Sequence, residues 1–238
     1  MRVPSLLLLV ALAAACAERE ARTVTSAAST LPPLDRDPPG GTRTATFALG
    51  GGWGPDARCG SMPGVVRTRV GYAGGEAERP TYDDLFDHAE AIEVVYDPAR
   101  LSYERLLEVF WDSHEPTYRS GSKQYRAFLF VHDEGQRRLA EASRDRLQTH
   151  LGRPVRTEIV DAGRFWPAED YHQKYTLRRF RDIAAELMAH YPDPADFRDS
   201  TAAARLNGYL AGYGGDDADL GGLGLSPEAL AQVRAAVR

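Results

Sequence analysis

Residues 88–117 read HAEAIEVVYDPARLSYERLLEVFWDSHEPT, which is a strand, a turn and a helix in succession. The strand, Ala91 to Tyr96, is apolar, and Asp97-Pro98 ends it with a turn. Ser102 then offers a hydroxyl that can cap a helix N-terminus. One apolar helix face follows, formed by Leu106, Leu107, Phe110 and Trp111. This stretch predicts a helix packed on a sheet.

The same patterns continue in both directions, so strands and helices are mixed along the chain. Strands are predicted over 44–49, 65–72, 126–131 and 155–160, and helices from Pro55 and over 133–150. The order β-α-β-β-α-β-α-β predicts an α+β fold, with helices packed on a mixed, mainly antiparallel sheet.

The N-terminus has the layout of an export signal. Met1-Arg2 gives a short positive region, and the apolar run from Leu6 to Ala15 stops at Cys16. That run is shorter than the roughly 20 residues that span a bilayer. It resembles a bacterial lipoprotein signal, which implies a signal peptide over 1–15, lipidation of Cys16, and an exported lipoprotein anchored in the membrane at the periplasmic face or cell surface. The alternative is ordinary secretion with an incidental cysteine.

Composition divides the remaining chain into three parts. Residues 16–43 are rich in Pro, Thr, Ser and Gly and predict a flexible tether. Residues 44–191 carry the strands and are predicted to form the main domain. Residues 192–238 include helix starts at Ser200 and Ser226 and predict a helical C-terminal extension packed on it. The net charge of −5, with both signs interleaved, argues against a nucleic-acid partner.

Six ordered segments resemble the class A peptide methionine sulfoxide reductases. They are ATFALGGGWG (45–54), PGVVRTRVGYAGG (63–75), PTYDDL (80–85), the stretch 88–117, KQYRAFLF (123–130) and FWPAEDYHQKY (165–175). The resemblance implies a ferredoxin-like core and the repair of methionine S-sulfoxide in oxidised proteins or peptides. It also implies an external thiol reductant if the protein is active, and no cofactor.

The chain departs from the family at its nucleophile. The family signature Gly-Cys-Phe-Trp-Gly is here Gly50-Gly51-Gly52-Trp53-Gly54. The resemblance therefore places the missing thiol at Gly51 and a missing wall of the methyl pocket at Gly52. A helix N-terminus would lower the pKa of a thiol at this point, but the sulfur is absent.

The resemblance assigns the other site residues. Glu90 corresponds to the proton donor to the sulfoxide oxygen, Tyr82 and Tyr125 to its hydrogen-bond donors, and Trp53 to the aromatic wall against the methyl group. We expect these four residues to line one pocket. Ser120 stands where the family has an aspartate.

Neither Cys59 nor the C-terminal segment supplies the missing thiol. Cys59 lies about two helical turns beyond Gly51, roughly 10 Å or more away, and is expected to be a small buried apolar residue. Leu210 follows Asn207-Gly208-Tyr209, where a resolving cysteine would belong by resemblance. The histidines show no metal-ligand spacing, so no metal site is expected, and the glycines at 50–54 lack the lysine of a phosphate loop.

Two hypotheses follow. In the first, the protein is a reductase of methionine S-sulfoxide in proteins. In the second, it is a catalytically silent lipoprotein that binds methionine sulfoxide, because Gly51 removes the covalent step.

Export and anchoring give the first testable prediction. Metabolic labelling with a fatty acid should label the wild-type protein and leave Cys16→Ser unlabelled, because the thiol of Cys16 is the expected acylation site. Equal labelling of both proteins would rule out this assignment.

Overall fold

The computed structural model describes residues 31–214 and 220–237. The predicted signal peptide, Cys16 and the first half of the predicted tether, up to residue 30, lie outside the described residues. The strands are β1 Arg43–Leu49, β2 Val65–Ala73, β3 Ala89–Tyr96, β4 Ala127–Val131, β5 Glu158–Asp161 and β6 Trp166–Pro167. The helices are α1 Pro33–Arg36, α2 Trp53–Gly60, α3 Tyr103–Trp111, α4 Glu134–Leu151, α5 Tyr175–Arg179, α6 Arg181–Met188, α7 Pro194–Arg198, α8 Thr201–Gly208 and α9 Pro227–Ala236.

The strands form one sheet in the order β5-β4-β1-β3-β2-β6. All neighbouring pairs are antiparallel except β4 and β5, which confirms the predicted α+β fold with a mainly antiparallel sheet. Ser102 caps α3 by accepting from the backbone N–H of Arg105, and Asp133 caps α4 in the same way. The N-termini of α3 and α4 are therefore capped by side chains of the types that favour this position.

The last predicted strand starts later than expected. It was predicted over 155–160, but β5 begins at Glu158 because the preceding backbone bonds elsewhere. The N–H of Val155 donates to the side chain of Gln148, and that of Arg156 donates to the Pro116 carbonyl. These bonds hold Val155 and Arg156 against Gln148 and Pro116, so the two residues do not pair in the sheet.

The predicted tether also needs correction over its described part. Residues 33–36 form α1 and pack on the C-terminal helices, so this part is not a flexible linker. Asp35 accepts a hydrogen bond from the Tyr191 hydroxyl at 2.6 Å and one from the Thr201 backbone N–H at 2.6 Å. Its carboxylate lies at the N-terminus of α8, where helix N–H groups lack partners and favour negative charge. Composition alone could not reveal these bonds, because their partners are more than 150 residues away in sequence.

Helix α8 lies directly against α2, and glycines permit the close approach. A Cβ atom added to Gly208 would overlap the carbonyl oxygen of Ala57, and one added to Gly60 would overlap the backbone of Ala204. The two backbones are therefore in contact, as happens when small residues face each other. This packing fixes the orientation of α2 relative to α8.

A fully buried ion pair joins three parts of the fold. The Lys174 ammonium donates to Asp56 Oδ1 at 3.2 Å and to the carbonyl and hydroxyl oxygens of Thr68 at 2.6 and 3.0 Å. The side chains of Lys174 and Asp56 are both inaccessible to solvent. Asp56 Oδ2 accepts from the Asn207 amide at 3.0 Å, which adds α8 to the network. Burial lowers the pKa of Lys174, and the carboxylate of Asp56 opposes that effect.

Within the described parts of the chain, 31–214 and 220–237, no helix has both the length and the apolar content needed to cross a bilayer.

The buried pair predicts a large difference between two charge deletions. Lys174→Met should lower the free energy of unfolding by about 3–5 kcal/mol, because it leaves the Asp56 carboxylate buried without its cation. Adding Asp56→Asn should recover part of that loss.

The control is Arg105→Ala, which removes the exposed Arg105–Glu108 pair and should change the free energy by less than about 1 kcal/mol. Denaturant titration followed by circular dichroism measures all of these values. If Lys174→Met and Arg105→Ala have equal effects, the central role of the pair is disproved.

Candidate functional site

The N-terminus of α2 opens into a cavity of about 370 Å³, called here the α2 pocket. Its walls are Leu49 at the end of β1, the glycine turn that follows, Trp53 and Pro55 of α2, and the side chains of Tyr82 and Glu90. Gly50 has a φ of +97°, which lets the chain leave β1 and start α2 after only three residues. The pocket thus lies where unpaired N–H groups of α2 point outward.

Gly51 leaves open space beside a carboxylate. A Cβ atom at this position would lie 3.9 Å from Glu90 Oε2, an ordinary van der Waals distance, and the residue does not adopt a positive φ. Gly52 is different, because a Cβ atom there would overlap Cγ1 of Val70. The structure therefore has room for a side chain at Gly51, and none at Gly52 unless the Val70 side chain moves.

Glu90 is held inside the pocket and is not a solvated surface charge. It lies on β3 opposite Tyr72 of β2, and only 9% of the residue is exposed. Its Oε2 accepts from the backbone N–H of Gly52 at 3.3 Å, and its Oε1 accepts from the amide of Gln124 at 2.7 Å. These two bonds aim the carboxyl group at the glycine turn.

Trp53 is held by two aromatic neighbours. Its indole stacks on Tyr175, with ring centroids 3.6 Å apart and an angle of 4° between the planes. Its Nε1–H donates to His172 Nδ1 at 2.9 Å. Because Nδ1 accepts this bond, His172 is neutral and carries its hydrogen on Nε2. Burial lowers the pKa of His172 and favours the same form.

Tyr82 and Tyr125 approach the pocket from two loops. The backbone N–H of Tyr82 donates to Glu169 Oε1 at 3.0 Å, and its ring lies 4.7 Å from that of His172. Tyr125 lines a second depression beside the α2 pocket. Desolvation, the charge of Glu90 and the nearby Tyr82 raise the pKa of Tyr125, so its hydroxyl keeps its proton at neutral pH.

The structure thus brings the four sequence-predicted residues close together, although not in one cavity. Trp53, Tyr82 and Glu90 line the α2 pocket, whereas Tyr125 lines the adjoining depression with Ser120.

Four residues support the site without having been predicted from the sequence. Gln124 orients Glu90, Glu169 fixes Tyr82, and His172 and Tyr175 hold Trp53. The motif FWPAEDYHQKY contains three of them, but from sequence alone its Glu169–His172 segment is predicted to be an exposed turn. That interpretation is wrong for His172, which is 4% exposed. Chain position alone could not show that this loop folds back over α2.

The thiol of Cys59 lies in the hydrophobic core and not in the α2 pocket. Burial, together with the nearby charge of Asp56, raises its pKa to about 12. A thiol with that pKa is almost entirely protonated near pH 7 and is a poor nucleophile. In the described part of the chain, no group of three or more His, Cys, Asp or Glu side chains is arranged to hold a metal ion.

Comparison with known proteins agrees with the fold. A sequence profile described as peptide methionine sulfoxide reductase matches residues 43–200. A peptide methionine sulfoxide reductase of Drosophila melanogaster is 41% identical over 189 residues, covering 77% of this chain and 76% of the relative. One from Azotobacter vinelandii is 46% identical over 159 residues, covering 61% and 74%.

Solved structures give the same result. Methionine sulfoxide reductase A of Corynebacterium diphtheriae is 32% identical with a TM-score of 0.52, covering 59% of this chain and 76% of that one. Mxr1 from Saccharomyces cerevisiae in its reduced form is 27% identical with a TM-score of 0.54, covering 58% and 85%. The chain therefore belongs to the peptide methionine sulfoxide reductase family.

Proposed function

We propose that the protein binds the methionine S-sulfoxide side chains of oxidised proteins and peptides in the α2 pocket without reducing them. One observation carries this proposal: Gly51 presents open space to Glu90 where the reaction needs a sulfur, while Cys59 is buried in the core. Membership of a family does not by itself establish activity, because activity depends on the residues of the site. A missing nucleophile removes the covalent step outright.

The pocket suits a sulfoxide. The exposed face of the Trp53 indole offers apolar contact to the methyl group, and its other face is covered by Tyr175. The hydroxyls of Tyr82 and Tyr125 are donors for the sulfoxide oxygen. A reduced methionine has no such oxygen, so it would leave these donors unpaired and would bind less tightly.

The wider setting rests on the sequence. In this proposal the protein acts as an exported lipoprotein, anchored through acylated Cys16, and its partners are oxidised polypeptides outside the cytoplasm. Because the proposed activity is binding, it needs no thiol reductant. The competing hypothesis is a reductase, which would need an external thiol.

Binding should distinguish the sulfoxide from the thioether. The peptide acetyl-Gly-Gly-Met-Gly-Gly-amide, oxidised to the S-sulfoxide, should bind about tenfold tighter than its thioether form, because the tyrosine donors meet an acceptor only in the sulfoxide. Tyr82→Phe should reduce this preference, and Trp53→Leu should weaken binding of both forms. Heteronuclear NMR titration measures the affinities.

The control for Trp53→Leu is Tyr213→Ala, which removes an aromatic ring of similar exposure outside the α2 pocket and should leave binding unchanged. Equal affinity of the wild-type protein for sulfoxide and thioether would refute the proposed function. So would turnover with dithiothreitol in the wild-type protein, whether or not Cys59→Ser abolished it.

Restoring the thiol should restore chemistry. In Gly51→Cys the introduced thiolate attacks the sulfoxide sulfur while Glu90 gives a proton to the oxygen. The substrate S–O bond breaks, the oxygen passes to the cysteine sulfur to give a sulfenic acid, and the bond between the two sulfurs breaks so that the thioether leaves. We expect one thioether per protein molecule without added thiol, and further turnover only with one. Gly52 is kept, because a side chain there would overlap Val70.

Glu90→Gln in the Gly51→Cys background is the matched control. Removing the carboxylic acid should slow the single turnover by about 10²–10⁴-fold if Glu90 donates the proton to oxygen. Chromatography of samples quenched at successive times measures the rate at which the peptide thioether forms. An unchanged rate would show that Glu90 does not act on the bound oxygen.

A further inference from the structure

A second depression of about 380 Å³ adjoins the α2 pocket and is called here the flanking pocket. Its apolar walls are Leu49, Ala127 and the rings of Tyr118 and Tyr125, and it shares Leu49 and Gly50 with the α2 pocket. The two cavities therefore adjoin at these two residues. A chain whose side chain enters the first passes next to the second.

The polar groups of the flanking pocket already have partners. His114 is bonded through Nδ1 to the Phe110 carbonyl at 2.9 Å and through Nε2 to the Thr157 hydroxyl at 3.0 Å. Burial lowers the pKa of His114, so the ring is neutral near pH 7. The Glu115 carboxylate accepts from the backbone N–H and the hydroxyl of Thr117.

Ser120, another polar residue of the lining, accepts from the backbone N–H of Ser122 at 3.2 Å, and the exposed Tyr118 and Tyr125 supply the remaining polar groups through their hydroxyls. The surface available to a ligand is therefore mainly ring faces and aliphatic carbon. An apolar side chain can occupy it without leaving buried polar groups unpaired.

Exposed aromatic side chains concentrate at these two cavities. Trp53 and Tyr82 line the α2 pocket, and Tyr118 and Tyr125 line the flanking pocket. Each of these four side chains is more than a third exposed. Tyr118 is 67% exposed and packs against no core cluster of the described residues. Grouped exposed aromatics around a cavity are typical of a ligand-binding surface.

We infer that the flanking pocket binds an aliphatic or aromatic side chain two residues away from the methionine sulfoxide in an extended peptide. In an extended chain, side chains at i and i+2 point to the same side and lie about 7 Å apart, so adjoining cavities suit this spacing. The negative charge of Glu115 at the wall disfavours an acidic residue there.

This inference rests on the proposed function and narrows its ligand. The preferred ligand is an extended apolar stretch of polypeptide and not the free oxidised amino acid. Such stretches become accessible when oxidation makes a buried methionine polar and disrupts the packing around it.

The test compares peptides that differ only two positions from the sulfoxide. The probes are the S-sulfoxide of acetyl-Gly-Gly-Met-Gly-Gly-amide and versions with Leu or Asp in place of glycine at position −2 or +2. With the wild-type protein, Leu at one of these positions should tighten binding about tenfold over Gly, as expected for burying most of that side chain. Asp should give no gain.

Two variants separate the flanking pocket from general stickiness. Tyr118→Ala should cut the Leu gain below about threefold and leave the all-glycine peptide unaffected. Phe86→Ala, which removes another exposed aromatic lining neither cavity, should keep the full gain.

The inference is overturned if Leu brings no gain at either position, or if Tyr118→Ala keeps the gain. A failure of the proposed function looks different: the all-glycine sulfoxide would then bind no tighter than its thioether. That result would remove both conclusions.

Discussion

The buried pair between Lys174 and Asp56 is the interaction on which the site depends. Two charges removed from water are stable only when each finds several partners, and here the ammonium and carboxylate find them on β2 and α8 as well as on each other. Asp56 is part of α2, and Lys174 follows the loop that carries His172. The same pair therefore fixes both α2, which begins at the α2 pocket, and the loop whose His172 supports the Trp53 indole.

The contacts of the site form although residue 51 is a glycine. Glu90 receives hydrogen bonds from Gly52 and Gln124, and Trp53 stacks on Tyr175 and donates to His172. None of these contacts requires a side chain at Gly51. Because surrounding residues and not the reacting atom hold the pocket in shape, the pocket can bind a ligand even without the chemistry. This is the physical basis of the proposed function.

Local patterns predicted most of the fold, because strand periodicity and helix caps depend on residues close in sequence. Ser102 caps α3 as expected, and the sheet is mainly antiparallel. The role of His172 and the packing of α1 through Asp35 could not be predicted, since each depends on a partner more than 100 residues away. The catalytic positions were assigned through resemblance, and no rule of spacing would have joined Trp53, Tyr82 and Glu90.

The most direct measurement is a crystal structure of the protein soaked with a methionine S-sulfoxide peptide and dithiothreitol. The proposed function predicts density for an intact sulfoxide, with its methyl group on the Trp53 indole and its oxygen within hydrogen-bond distance of the Tyr82 hydroxyl. Density for a thioether in the α2 pocket, or a peptide bound elsewhere on the protein, would contradict it.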